Sequence, residues 1–157
     1  LDRAEIYHSP LDGNANMMLK NDFIHICAGV GTEGVPLEIE GRFIETVRCG
    51  DGVVWFDFID ICDGPRGVAD YIAISKQYQI VLLANIPIMD DYENDIAKRF
   101  IALIDEFYDR NVKLIMTAAA EPKALYLGER LSESFTRTIS RLEEMRTHDY
   151  LAKQHLP

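Results

Sequence analysis

The sequence predicts an α/β fold: a small antiparallel meander followed by a βαβ unit with parallel strands, both flanked by helices. Two observations predict it. Residues 36–62 alternate apolar and polar side chains around glycine turns, as half-buried strands do. Further on, the apolar runs "QIVLLAN" and "VKLIMT" enclose one helical pattern, and strand–helix–strand with short joints almost always gives parallel strands. With 157 residues, 48% of them hydrophobic and 27% charged, the chain has ordinary globular composition and room for one domain, or two small subdomains packed together. Residues 1–63 form its helix-plus-meander part, and residues 64–157 the βαβ unit with C-terminal helices.

The opening "LDRAEIYHSPL" reads as a connector. Asp12 can then cap a helix, because its carboxylate can accept from first-turn N–H groups. Ala15, Met18, Leu19, Phe23 and Ile26 recur at helical spacing and form its buried stripe. "GVGTEG" breaks that helix. "PLEIEGRFIETVR" folds back at Gly41, and "CGDG" turns the chain into "VVWFDFIDIC", with Val54, Phe56 and Phe58 on one face. A short helix over "PRGVADYIAISKQY" leads to the first parallel strand. Ile96, Phe100, Leu103, Ile104 and Phe107 mark one face of a helix over 91–110, which Asn111 closes. After the second strand Pro122 begins a helical piece over 122–127, which Gly128 interrupts. Ser132 can cap a last helix that buries Phe135, Ile139, Leu142 and Met145.

A net charge of −10 argues against nucleic acid and against a surface-wide attraction to anionic membrane, so membrane contact is at most peripheral. The charge is uneven. Residues 123–157 carry six Lys/Arg and five Asp/Glu, so the acidity lies entirely in residues 1–122. Cys27, Cys49 and Cys62 are odd in number and lack CxxC spacing, which fits free thiols in a reducing cytoplasm and argues against zinc. The apolar run over 80–89 is too short to span a bilayer, and no signal peptide opens the chain. The first residue is Leu1 rather than Met, and a fragment of a longer protein is the expectation.

Gly29-x-Gly31-x-x-Gly34 spells the dinucleotide fingerprint, but those glycines must follow a strand and open a helix to aim amides at a pyrophosphate. Here the order is reversed, and the motif reads as a turn. No P-loop, nucleophile elbow or His-Glu-x-x-His occurs. The pairs Asp57 with Asp60, Asp90 with Asp91, and Asp105 with Glu106 have structural explanations: capping for Asp90-Asp91, and Arg99 or Arg110 as partners for Asp105 and Glu106. No catalytic residue and no metal ligand is assigned.

The candidate contact residues are Arg137 and Arg141. They stand four apart on the last helix and repel each other slightly. Their compensating anion is either Glu133 and Glu144 on the same helix, or a phosphate or acidic partner surface met by two guanidinium forks. The loops 85–90 and 118–123 share the sheet edge where open parallel sheets place ligands, a site by topology without visible chemistry.

Taken in order, "LEIEGRFIETV", "GVVWFDFIDICDGPRGVADYIAIS", "IPIM", "KRFIALIDEFYDRNVKLIMTAA", "LYLGERL" and "FTRTISRLEEMRTHDYL" closely resemble the C-terminal part of the ZapE cell-division ATPases. These belong to the AAA+ superfamily and have mitochondrial relatives. The resemblance runs from about Leu1 to His155. It implies a parent that binds ATP and Mg through Walker motifs, sensor and arginine finger lying upstream, none of which maps onto a residue here. The segment alone is then inactive and binds no cofactor. It serves as a lid that brings Arg137 or Arg141 to nucleotide, or as a docking domain. Implied partners are the upstream ATPase core, FtsZ or other division proteins, and further copies of the full-length protein, in the cytoplasm near the inner membrane. The resemblance also implies a degenerate half of a RecA-like core, with Ala118-Ala119 in place of a sensor and "VLLANIP" in place of Walker B acids. The competing reading is a free-standing interaction module without nucleotide dependence.

Overall fold

A computed structural model describes residues 6–157. Strand β1 (Tyr7–His8) lies where the sequence suggests a connector; residues 1–5 of that segment lie outside the described residues. β1 is built by its neighbours. Tyr7 and His8 pair in parallel with Met116 and Thr117, and the Tyr7 hydroxyl donates to the Ala120 carbonyl at 2.6 Å. A two-residue strand carries no periodicity, so no local pattern announces it.

Helix α1 (Ala15–Cys27) buries Ala15, Leu19 and Phe23. Asp12 acts two residues early: its Oδ1 accepts from Asn14 N and from His8 Nε2, both at 3.0 Å, and Asn14 takes the N-cap position without a side-chain bond. Past the helix come β2 (Thr32–Glu33), β3 (Leu37–Ile39), β4 (Arg42–Ile44), β5 (Arg48–Gly50) and β6 (Val53–Asp57). The β3–β4 turn places Glu40 at φ 52° and Gly41 at φ 75°, the two positive values that a tight hairpin of matching twist needs. This hairpin is a two-stranded sheet of its own, while β2, β5 and β6 join the main sheet. Arg42 ties the hairpin to the rest through Asp70 at 2.6 Å.

The remaining elements are α2 (Phe58–Cys62), α3 (Val68–Gln77), β7 (Ile80–Ile86), α4 (Asn94–Asp109), β8 (Lys113–Ala118), α5 (Ser132–Glu144) and α6 (His148–Leu151). The expected helical piece over 122–127 is only a short 3₁₀ turn at Pro122–Ala124. Beyond it the backbone pairs with the loop after β7: Met89 N donates to Leu125 O at 2.7 Å, and Leu127 N to Met89 O at 2.8 Å. Ser132 opens α5 but makes no side-chain cap, the N-cap position being Leu131.

The six-stranded sheet runs β1-β8-β7-β6-β5-β2, parallel from β1 to β6 and antiparallel beyond. Both faces are covered. On one, Leu19 and Phe23 of α1 pack with Val53, Trp55, Leu82 and Ile115. On the other, α3, α4 and α5 supply Tyr71, Phe100, Ile104, Phe107, Phe135 and Leu142 against Val54, Phe56, Leu83 and Met116. β6 is therefore buried on both sides from Val53 to Phe56, and each such side chain contributes about 1.5–3 kcal/mol by leaving water. No helix among the described residues is long and apolar enough to cross a membrane.

Candidate functional site at the strand ends

Strands β6, β7 and β8 finish side by side, and a polar chain links their ends. Asp57 closes β6 and caps α2, its Oδ1 accepting from Ile59 N at 3.2 Å. Phe58, expected as a strand residue, is thereby the first residue of a helix. The other oxygen of Asp57 accepts from Asn85 Nδ2 at 2.7 Å. Asn85 sits at φ 67° where the β7–β8 register shifts between Leu83 and Ile86. Its N–H leaves the ladder and donates to Thr117 Oγ1 at 2.9 Å, a hydroxyl that is otherwise buried. A left-handed residue inside a strand bends the chain, and asparagine tolerates that conformation better than most.

A cleft of about 300 Å³ opens beside this chain, at the edge where open parallel sheets place ligands. Phe58, Ile59, Pro87 and Ile96 form its walls, with Asp57 and Asp63 among its polar groups. Asp60, in the same short helix, has its carboxyl pushed up by burial and then by the nearby charges of Asp57 and Glu45, with Arg66 opposing. The lining's polar groups are the carboxylates of Asp57 and Asp63 and the amide of Asn85. Sequence reasoning located the edge through the loops 85–90 and 118–123. It placed Asn85 at the start of the first loop rather than inside β7 and missed Thr117, because nothing in an apolar run reveals which residue leaves the ladder.

Asp91, just past the first of those loops, fastens the chain there to residues 126–130. Its carboxylate accepts from Glu129 N and Arg130 N at 3.0–3.1 Å, from the Tyr126 hydroxyl at 3.0 Å and from Asn94 Nδ2 at 3.2 Å. The two backbone N–H groups, foremost, hold its carboxyl down to about 2. Gly128 has no room for a side chain here, since a Cβ would stand 2.7 Å from Asp91 Oδ1. Asp90 caps the turn that follows β7, accepting from Tyr92 N at 2.9 Å, while Glu93 returns to Asp90 N at 3.2 Å. Both members of that acidic pair are thus held in structural contacts.

Arg137 and Arg141 are brought together, but on an anion from neither of the two sources considered. Asp105 of α4 takes both: Arg137 Nη2 lies 3.0 Å from Oδ2, and Arg141 Nη1 bonds Oδ1. The Arg141 guanidinium also lies over the Tyr108 ring, 4.9 Å from its centroid. Asp105 therefore pairs across the α4–α5 interface, and Arg99 reaches the Cys62 carbonyl at 3.4 Å instead.

The family model for AFG1-like ATPases matches residues 1–154. The chain belongs to the AFG1-like ATPase family. It is 34% identical over 156 residues to cell division protein ZapE of Escherichia coli strain K12, covering 99% of this chain and 42% of that protein. It is also 27% identical over 146 residues to lactation elevated protein 1 homolog B of Danio rerio, covering 73% of this chain and 29% of that one. The AFG1-like chain thus spans less than half the length of the curated relatives it matches. No solved structure matches it. Membership agrees with the ordered resemblance read from the sequence, and with eukaryotic as well as bacterial kin.

Proposed function

We propose that this AFG1-like segment is the C-terminal portion of a ZapE-like AAA+ ATPase acting in bacterial cell division, and that it serves that protein by docking rather than by hydrolysis. In the longer polypeptide the upstream core binds ATP and Mg, and this segment meets that core, another copy or a division client such as FtsZ, in the cytoplasm near the inner membrane. No P-loop occurs in the 157 residues to take the hydrolytic part. A degenerate half of a RecA-like core remains the proposed origin of the βαβ unit.

One observation supports docking over a lid. A lid arginine must be free to meet phosphate, yet Arg137 and Arg141 both engage Asp105, and Arg141 is stacked on Tyr108 as well. ATP turnover by full-length Arg137→Ala and Arg141→Ala proteins tests the choice. Docking predicts turnover within about twofold of the parent. An arginine that stabilises a transferring phosphoryl group contributes roughly a thousandfold or more, so a loss of that order in a variant that stays folded would establish the lid.

A further inference from the structure

The cleft beside Asp57 combines apolar walls with carboxylates and no cation. Ile59 follows the N-cap of α2 by two residues and is 58% exposed, an aliphatic side chain left on the surface beside an open cleft. The same sheet edge leaves Ile88 at 42%, Leu127 at 66% and Tyr92 at 97% exposure. Pro87 of the cleft wall adjoins Ile88, and Leu127 is joined to that stretch by its N–H bond to Met89 O at 2.8 Å. Isolated surface apolar residues need no explanation, but several collected at one ligand-placing edge mark an interaction surface.

The electrostatics choose the partner. Asp57, Asp60 and Asp63 fall within seven residues, and Asp63 accepts no hydrogen bond from the described residues. Asp57 uses one acceptor site on each oxygen, leaving further lone-pair positions open. The cations beside the cleft are engaged by backbone carbonyls: Arg66 by those of Phe43 and Asp60, and Arg99 by that of Cys62. The acidity of residues 1–122 repels a phosphate or an acidic peptide and attracts a base.

We infer that this cleft receives an arginine or lysine side chain, flanked by apolar residues, from a segment of a partner protein. The aliphatic stem lies along Phe58, Ile59, Pro87 and Ile96, and the charged head meets Asp57 and Asp63. Neighbouring apolar residues of the segment cover Ile88 and Leu127. The inference rests on the docking reading and gives the docked segment its chemistry.

The test is a titration of the ¹⁵N-labelled full chain with a short peptide alternating leucine and arginine, followed by amide shifts. Saturable shifts are expected at Ile59, Asp63, Asn85 and Ile96, weakening severalfold as salt is raised. Asp63→Asn and Ile59→Ser, both at exposed positions, are each expected to lower the affinity about fivefold. The same peptide with glutamate for arginine should give no shifts. Shifts that are absent, that map elsewhere, or that appear equally with the glutamate peptide would overturn the assignment. Such a result beside unchanged ATP turnover in the Arg137→Ala protein removes only the partner chemistry. A collapse of turnover in that variant removes the docking reading itself.

Discussion

Asp105 holds two guanidinium groups on one carboxylate, one on each oxygen, so the trio keeps a net positive charge. Arg141 and Asp105 each have side chains 24% exposed, whereas Arg137 is 57% exposed. Screening by water leaves an exposed pair worth little, while a half-buried charge-assisted bond backed by an aromatic face is worth more. Arg141→Ala is therefore expected to cost about 1–2 kcal/mol and Arg137→Ala about 0.5 kcal/mol or less. Urea unfolding of both variants, and of each in an Asp105→Asn background, checks this through a double-mutant cycle. Equal costs for the two arginines would contradict the assigned geometry. The sequence made the repulsion between these residues visible but not its remedy. Asp105 lies 32 residues from Arg137, and which charges meet across two helices depends on how they rotate against each other in packing.

At the scale of elements, the patterns that rest on burial were legible. The stripe from Phe100 to Phe107 identifies α4 because every third or fourth side chain enters the core, and the turn at Gly41 shows because few other residues adopt its φ. What escaped is set by partners distant in sequence. β1 exists through β8, and β6 stops at Asp57 because that carboxylate caps the next helix rather than because the apolar pattern ends. Asn85 belongs to the same class, and it gives a prediction for β7. Asn85→Ala and Asn85→Gly both lose the bond to Asp57, but only alanine must hold a Cβ at φ 67°. The glycine variant is thus expected to be the more stable of the two by about 1 kcal/mol, read from denaturant midpoints. If alanine were the more stable, the left-handed conformation at the end of β7 would be wrong, and the cleft wall built on it with it.

At the scale of the whole molecule the main sheet lies between two apolar layers, and the three cysteines sit at different depths around them. Cys62 ends α2 inside the larger core and is fully buried; burial pushes its thiol pKa up, so its thiolate is scarce in the native state. Cys27, at the end of α1, packs beside the smaller core, and Cys49 lies in β5, its sulfur 3.4 Å from the Tyr78 hydroxyl; both are only partly buried. A thiol reagent reaches a buried sulfur only when the structure over it opens, and edge elements open at lower free energy than a core. With the native protein in excess iodoacetamide, Cys27 and Cys49 should label first, and Cys62 only at the rate set by global unfolding. Peptide mass spectrometry across a urea series separates the sites. The labelling free energy of Cys62 should fall with urea at the slope of equilibrium unfolding, while those of Cys27 and Cys49 fall less steeply because their opening exposes less surface. If Cys62 instead labels together with Cys49 in the absence of urea, the helices over the strand ends open without the rest of the molecule. The cleft at Asp57 would then lack the rigid walls that a docked side chain needs.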